Sequence, residues 1–325
     1  MNACMVEELE DIAGRNMLWN VAAARPLDWA RQNRHRVETI LHDRGALLIR
    51  GLRLHSTKQF GQLLEALFDE PLAEYSYRST PRTKLGGNVY TATEYHAGET
   101  IPQHNESSYA SVWPRRIGFF CMVAPIPVPG AGGATPLADS REVLKRIPAE
   151  IVRKFTERKL QYVRNYGNID LPWRDVFQTD DKREVEAFCR ENGIEFEWRK
   201  DDGLRTRQVT PAIAQHPVTG EQVWFNQAHL FHVSSLREDV ARDMLAVCAE
   251  EDLPRNVYHG DGSPIDVADL ERIRAAYDEI KFHFEWQKND VLLLDNMLVT
   301  HGRQPFVGER KILVGMAGLH SHPKE

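Results

Sequence analysis

Cysteine is scarce in this 325-residue chain, which holds only Cys4, Cys121, Cys189 and Cys248. No two of them form a CxxC pair, and their wide spacing argues against a disulfide framework or a cysteine-rich zinc site. The pattern predicts reduced thiols and a cytoplasmic protein. Long hydrophobic runs are missing too: no stretch approaches the ~18 consecutive apolar residues of a membrane span. The opening residues, MNACMVEELEDIAGRN, are acidic and lack the apolar core of a secretory signal. Basic runs are absent and the net charge is −6, which makes nucleic acid a poor partner. There is no internal repeat, no low-complexity tract and no Pro/Ser linker that would divide the chain.

What is present is globular composition, 42% hydrophobic and 27% charged. The whole chain, 1–325, reads as a single catalytic domain, and a homo-oligomer is compatible with it. Residues 28–43 are rich in helix formers, with Asp28 as the expected N-cap and Gly45 as the stop. ALLIRGL (46–52) reads as a buried strand, and 56–68 as a second helix. IGFFCMVA (117–124), VLLLDN (291–296) and KILVGMAGL (311–319) read as core strands. KFHFEWQ (281–287) alternates Phe282, Phe284 and Trp286 with polar residues, which predicts a strand. Residues 125–140 are punctuated by Pro and Gly and predict irregular chain. Residues 164–181 predict a loop with embedded aromatics, and Ser235 with Glu238 spells a capping box. Strands at both ends enclose a helical and loop insert over about 140–280. That order is not the alternation of a doubly wound fold. It predicts a mainly β protein with inserted helices (α+β), a jelly roll.

The stretch IPQHNESSY (101–109) holds a histidine and a glutamate two residues apart. In an extended segment, His104 and Glu106 project to the same side and can share one ion. The best third ligand is His301, just past the buried strand VLLLDN. Two histidines and a carboxylate on one face, with open positions opposite, form the ligand set of non-haem iron(II) oxygenases. Taken alone, an HxE pair is commoner as a polar turn. A second constellation changes the odds. Arg310 follows His301 by nine residues, and its planar fork suits a carboxylate. Thr135, at the end of GGAT (132–135), supplies a hydroxyl. Arg310 and Thr135 together could hold the distal carboxylate of 2-oxoglutarate.

These stretches resemble the TauD/TfdA-type Fe(II)/2-oxoglutarate-dependent oxygenases, and more closely their SyrP-like branch. The matching segments are HDRGALLIRGL, VYTATEY, IPQHNESSY, GGATPLADSR, HPVTGEQVWFNQAHLFH and NDVLLLDNMLVTHGRQPFVGERKILVGMAG. They occur in family order and cover most of residues 40–320. The resemblance implies a double-stranded β-helix of the clavaminate-synthase-like kind. It implies His104, Glu106 and His301 as iron ligands. It implies Arg310 and Thr135 as the anchor of the 2-oxoglutarate C5 carboxylate, with the C1 end chelating iron and O2 as cosubstrate. Most TauD-like members carry Asp where Glu106 stands, whereas SyrP-like members carry Glu. Related halogenases have Ala or Gly there, so Glu106 argues against halogenation.

The implied reaction is hydroxylation of an unactivated C–H bond of an amino acid, free or tethered to a peptidyl carrier protein, in natural-product biosynthesis. Desaturation or cyclisation would use the same cofactor chemistry. Candidate substrate residues flank the ligand motifs: Asn88, Tyr90, Thr91, Ser107, Tyr109 and Arg303, and the resemblance adds Asn226 and its neighbours in WFNQAHLFH. Arg205 and Arg207 could also meet a carboxylate, and Tyr166, Trp173 and Phe177 could form a lid. An acidic carrier would want a basic patch, for which RQNRHR (31–36) and 157–164 are candidates. Two readings of other classes compete. A zinc hydrolase wants a general base that the sequence does not name. A non-catalytic jelly-roll binding protein has no need of all three ligands.

Overall fold

The computed structural model describes residues 9–322 except 76, 78 and 168. Cys4 and the start of the acidic opening stretch lie outside the described residues. Cys121, Cys189 and Cys248 are free thiols.

A run of apolar residues makes ALLIR (Ala46–Arg50) a strand buried on both faces, as expected of a central strand. It sits in an eight-stranded sheet beside Val291–Asp295, followed by Val112–Val123 and Lys311–Ser321. Leu47 and Ile49 point outward under two helices, Pro26–Arg44 and Thr57–Phe68. Ala46 and Leu48 point inward. The first helix begins at Pro26, so Asp28 lies in its first turn rather than capping it. There it pairs with Arg25 and Arg31. Gly45 ends the helix at φ 74°, donating its N–H to Leu41 O. Ser56 caps the second helix by accepting the Gln59 N–H.

The inward face meets a three-stranded antiparallel sheet, in the order Ile101–His104, Val299–Arg303, Leu137–Asp139. Ile117, Phe119, Leu292, Leu298 and Val299 pack between the two sheets. This is the jelly roll that the strand pattern predicts. Leu137–Asp139 is a correction, because the Pro/Gly-punctuated stretch ends in a short strand rather than staying irregular. The expected strand over 281–287 is also corrected. Only a bridge between Leu137 and Phe282 forms there. The alternation was still informative, since Phe284 and Trp286 are buried in the core.

The insert is less helical than expected. It carries a four-stranded antiparallel sheet: Glu195–Trp198, Leu204–Thr210, Leu160–Tyr166, Arg255–His259. Helices Ala149–Arg158 and Val267–Ile280 share its core, with Tyr162, Trp224, Phe231 and Tyr277. Residues 164–166 belong to one of these strands, and Trp173–Phe177 is a helical turn, not loop. Ser235 does not cap the next helix, Glu238–Val247. Its hydroxyl donates to Leu230 O, and Arg237 holds the cap position without a side-chain bond.

Candidate active site

The HNE stretch starts where a strand ends. His104 is the last residue of Ile101–His104 and lies opposite His301 in register on Val299–Arg303. Cross-strand neighbours bring side chains within a few ångströms. The two imidazole centroids are 4.4 Å apart. The chain then turns, and Asn296 grips the turn. Its Oδ1 accepts the Glu106 N–H at 2.7 Å, and its Nδ2 donates to Glu106 O at 2.9 Å. Glu106 Oε2 thus comes 3.9 Å from His104 Nε2 and 3.8 Å from His301 Nε2.

One ligand atom from each of the three residues lies within 4.8 Å of the others, the spacing that a shared ion requires. His104 Nδ1 lies 2.8 Å from Pro102 O, so that nitrogen carries the proton and Nε2 keeps its lone pair for the cluster. Burial holds both His104 and His301 below the ordinary imidazole value, with their lone pairs free. Two neutral imidazoles and a carboxylate suit a divalent first-row metal with open positions. Phe119 stands edge-on against His301, 5.2 Å between centroids, and screens it.

Arg310 lies in a cavity with His301, Thr135 and Arg303. Its Nη2 is 3.3 Å from Thr135 Oγ1 and its Nε donates to Gly133 O at 2.9 Å. Burial and the neighbouring Arg303 push it down to about 10, so it stays cationic at neutral pH. Neither arginine has a carboxylate partner among the described residues. A buried cation without a counter-ion is costly, so the cavity is built for an anion. Trp286 Nε1 donates to Thr135 Oγ1 at 3.0 Å and fixes the hydroxyl from behind.

The sequence matches the family model "Taurine catabolism dioxygenase TauD, TfdA family" over residues 7–317. The chain belongs to that family. It is therefore an Fe(II)/2-oxoglutarate-dependent oxygenase. It is 42% identical over 283 residues to "Dapdiamide synthesis protein DdaC" of Enterobacter agglomerans, covering 87% of this chain and 84% of the relative. Two solved structures share the fold. One is PvcB, described as an Fe, alpha-ketoglutarate dependent oxygenase from an isonitrile synthetic pathway. It has TM-score 0.52 and 14% identity, over 93% of this chain and 82% of PvcB. The other is an asparagine oxygenase solved with Fe(II), hydroxyasparagine and succinate. It has TM-score 0.54 and 13% identity, over 91% and 86%.

In this TauD/TfdA-family chain most of the expected substrate residues lie elsewhere. Asn88 Nδ2 is spent on Leu72 O, and the Tyr90 hydroxyl accepts the Tyr75 N–H. Thr91 bonds Thr83 and Glu94. Tyr109 donates to Tyr77 O inside the insert's core. Asn226 bonds Ala212 O and the Ala228 N–H. Ser107 lines a different cavity. Arg303 does line the cavity of Arg310, but it clamps the backbone carbonyls of Tyr95, His96 and Glu99. Arg205 pairs with Asp252, and Arg207 with Glu197. Tyr166 and Trp173 are core residues of the insert and Phe177 packs against them, so these three form no lid. The candidate basic patches are largely neutralised, with Arg31 on Asp28, Arg34 on Asp69 and Arg158 on Asp261.

Three residues that the sequence does not single out, Asn296, Trp286 and Arg82, shape the site, together with Gln227, one of the expected neighbours of Asn226. Asn296 and Trp286 hold Glu106 and Thr135. Gln227, one residue past Asn226, lines the cavity over His104 and Glu106. Its Nε2 donates to Asn105 O at 2.7 Å. Arg82 reaches in from the stretch before the strand Val89–Thr91 and pairs with Glu106 Oε2 at 2.6 Å, both side chains buried. The PR pair at 81–82 was visible in a polar stretch, but nothing local distinguished it from surface loop.

Proposed function

We propose that His104, Glu106 and His301 hold iron(II), and that Arg310 and Thr135 hold the C5 carboxylate of 2-oxoglutarate. On this reading the protein hydroxylates an unactivated C–H bond of an amino acid, with the jelly roll and its insert acting as one catalytic domain. The observation that carries it is the convergence of the three ligand atoms beside a half-buried arginine that has no counter-ion among the described residues. Likeness to a dapdiamide synthesis protein supports a place in natural-product biosynthesis, and a carrier-tethered form of the substrate belongs to the same reading.

When bound, iron and 2-oxoglutarate supply, with O2, the oxidant that such a C–H bond needs. The chain's own residues do the positioning. The bond to Pro102 O aims His104 Nε2 at the ion. Asn296 fixes the backbone from which Glu106 reaches it. Trp286 orients Thr135, and the Gly133 carbonyl orients Arg310.

The test is anaerobic reconstitution with Fe(II) and 2-oxoglutarate, watched for the weak visible charge-transfer band. Amino acids are then added, O2 is admitted and succinate is followed. A band that disappears in Glu106→Ala and Arg310→Ala supports the assignment, and the amino acid that speeds succinate release names the substrate. No band in well-folded wild-type protein would sink it.

A further inference from the structure

Arg82 has more hydrogen-bonding capacity than its surroundings use. Its side chain is 3% exposed, and Nη2 donates to Glu106 Oε2. Nε and Nη1 are buried with no acceptor among the described residues. The guanidinium lies over the Tyr75 ring, 4.8 Å from its centroid, which holds it in place. Unmade hydrogen bonds on a buried charged group are expensive, so these two donors call for an acceptor, a water or a ligand, in the cavities that Arg82 lines.

Arg82 lines both cavities beside the cluster: the one with Arg310, and one formed with Ser79, Thr80, Gln227 and Phe231. The first has its own cation in Arg310. In the second, the other cation, Arg255, is already spent on Asp170 and Ser79 O. Among the described residues, Glu106 is the only carboxylate that lines this second cavity. A divalent ion, Arg82 and Arg310 carry more positive charge than Glu106 and a dianionic 2-oxoglutarate can balance. In a buried site that excess favours a further anion.

We propose that Arg82 anchors a carboxylate of the substrate, in the cavity between the metal cluster and Gln227–Phe231. This rests on the iron and 2-oxoglutarate reading above. It narrows the substrate to one that reaches the iron with a free carboxylate. Two sources share that chemistry: the α-carboxylate of a free amino acid, and the side-chain carboxylate of an acidic residue carried as a thioester.

Acetate is the probe, since it needs no knowledge of the substrate. It is titrated into the anaerobic Fe(II)/2-oxoglutarate protein while the visible band is followed. Wild type should show a saturable change. Arg82→Gln should keep the band but bind acetate roughly ten-fold more weakly or worse, the scale of a charged hydrogen bond, and Arg82→Lys should recover part of it. In parallel, with Arg310 replaced by Ala so that it takes no acetate, acetate should raise the Tm of the metal-free Arg310→Ala protein and not that of the metal-free protein carrying Arg82→Gln as well, a readout that does not depend on iron. Absence of the band in wild type would fault the iron reading alone, and the metal-free arm would still decide the role of Arg82. Acetate binding that is absent in wild type, or equal in Arg82→Gln, overturns the proposal. So does loss of the band in both folded variants, which would leave Arg82 only the task of holding Glu106. Displacement of acetate by L-asparagine assigns the α-carboxylate. Displacement by L-isoasparagine instead assigns the side-chain carboxylate.

Discussion

Asn296 satisfies both backbone groups of Glu106, accepting its N–H at 2.7 Å and donating to its carbonyl at 2.9 Å. The same amide donates to Pro114 O at 2.8 Å, and the Asn296 carbonyl accepts from Asn105 Nδ2. One side chain thus ties the turn carrying the carboxylate to the strand end that leads to His301. Partners that orient a metal ligand without touching the metal are typically worth roughly ten- to a hundred-fold in affinity. Asn296→Ala should weaken Fe(II) binding on that scale. It should also cost about 1–3 kcal/mol of stability for each polar group left buried and unpaired. Metal titration and urea unfolding check the two effects separately. A stability loss with unchanged metal affinity would show that the clasp serves the fold only.

Gly133 stands at φ 60°, a conformation that L side chains rarely adopt. A Cβ there would lie 2.9 Å from Phe306 Cβ and 3.1 Å from Arg310 Cδ. Gly133→Ala should therefore displace Arg310 as well as strain the loop. The expected result is weaker 2-oxoglutarate binding with the metal affinity of His104, Glu106 and His301 retained. Titration of 2-oxoglutarate into metal-loaded protein reads it. A pure loss of stability with normal cosubstrate affinity would contradict it.

Arg310 makes its contribution through a fork and not only a charge. Arg310→Lys should keep some 2-oxoglutarate affinity, whereas Arg310→Ala should lose roughly ten- to a hundred-fold. Thr135→Val removes one neutral hydroxyl and should lose less than either. The charge-transfer titration checks the order of cosubstrate affinity: Thr135→Val highest, Arg310→Lys next, Arg310→Ala lowest. Normal 2-oxoglutarate binding by Arg310→Ala would move the anchor elsewhere.

The site was legible in the sequence where chemistry dictates residue type. An iron ligand set needs imidazoles and a carboxylate, a strand gives same-side projection two residues apart, and an anion pocket needs a fixed cation. Those requirements singled out His104, Glu106, His301, Arg310 and Thr135; the fold brings the first three within 4.8 Å of one another and sets Thr135 and Arg310 in a cavity with His104 and His301. The lining was not legible because nearness along the chain is not nearness in space. Asn88, Tyr90 and Thr91 lie in or beside a strand whose polar atoms are consumed by neighbouring backbone and side chains. Asn226 turns into its own helix start, and the next residue faces the cavity instead. Arg82 depends on contacts across the sheet that no local pattern encodes. Jelly-roll strands were readable from apolar runs, while the insert's sheet was obscured because its strands are short and half polar.

Asp170 and Arg255 form a tether whose strength depends on pH. Arg255 Nη2 donates to Asp170 Oδ1 at 2.7 Å and to Ser79 O at 2.6 Å, close to Arg82 in sequence. Burial works to raise the Asp170 carboxyl, but its bonds to Arg255 outweigh this and hold it below the ordinary carboxylate value. A carboxyl depressed in the folded state stabilises the fold above its unfolded pKa of about 3.9, and that contribution is lost as pH falls through the lower folded value. Urea unfolding across acid pH should therefore show stability falling below about pH 4. In Asp170→Asn that acid-side slope should be shallower, and stability at neutral pH lower by about 1–3 kcal/mol. Parallel curves for the two proteins would contradict the assignment. The same variant has a consequence for the site. Releasing Arg255 from Asp170 leaves a cation without a carboxylate partner in the cavity of Arg82 and Gln227, so carboxylates should bind Asp170→Asn no more weakly than wild type at neutral pH.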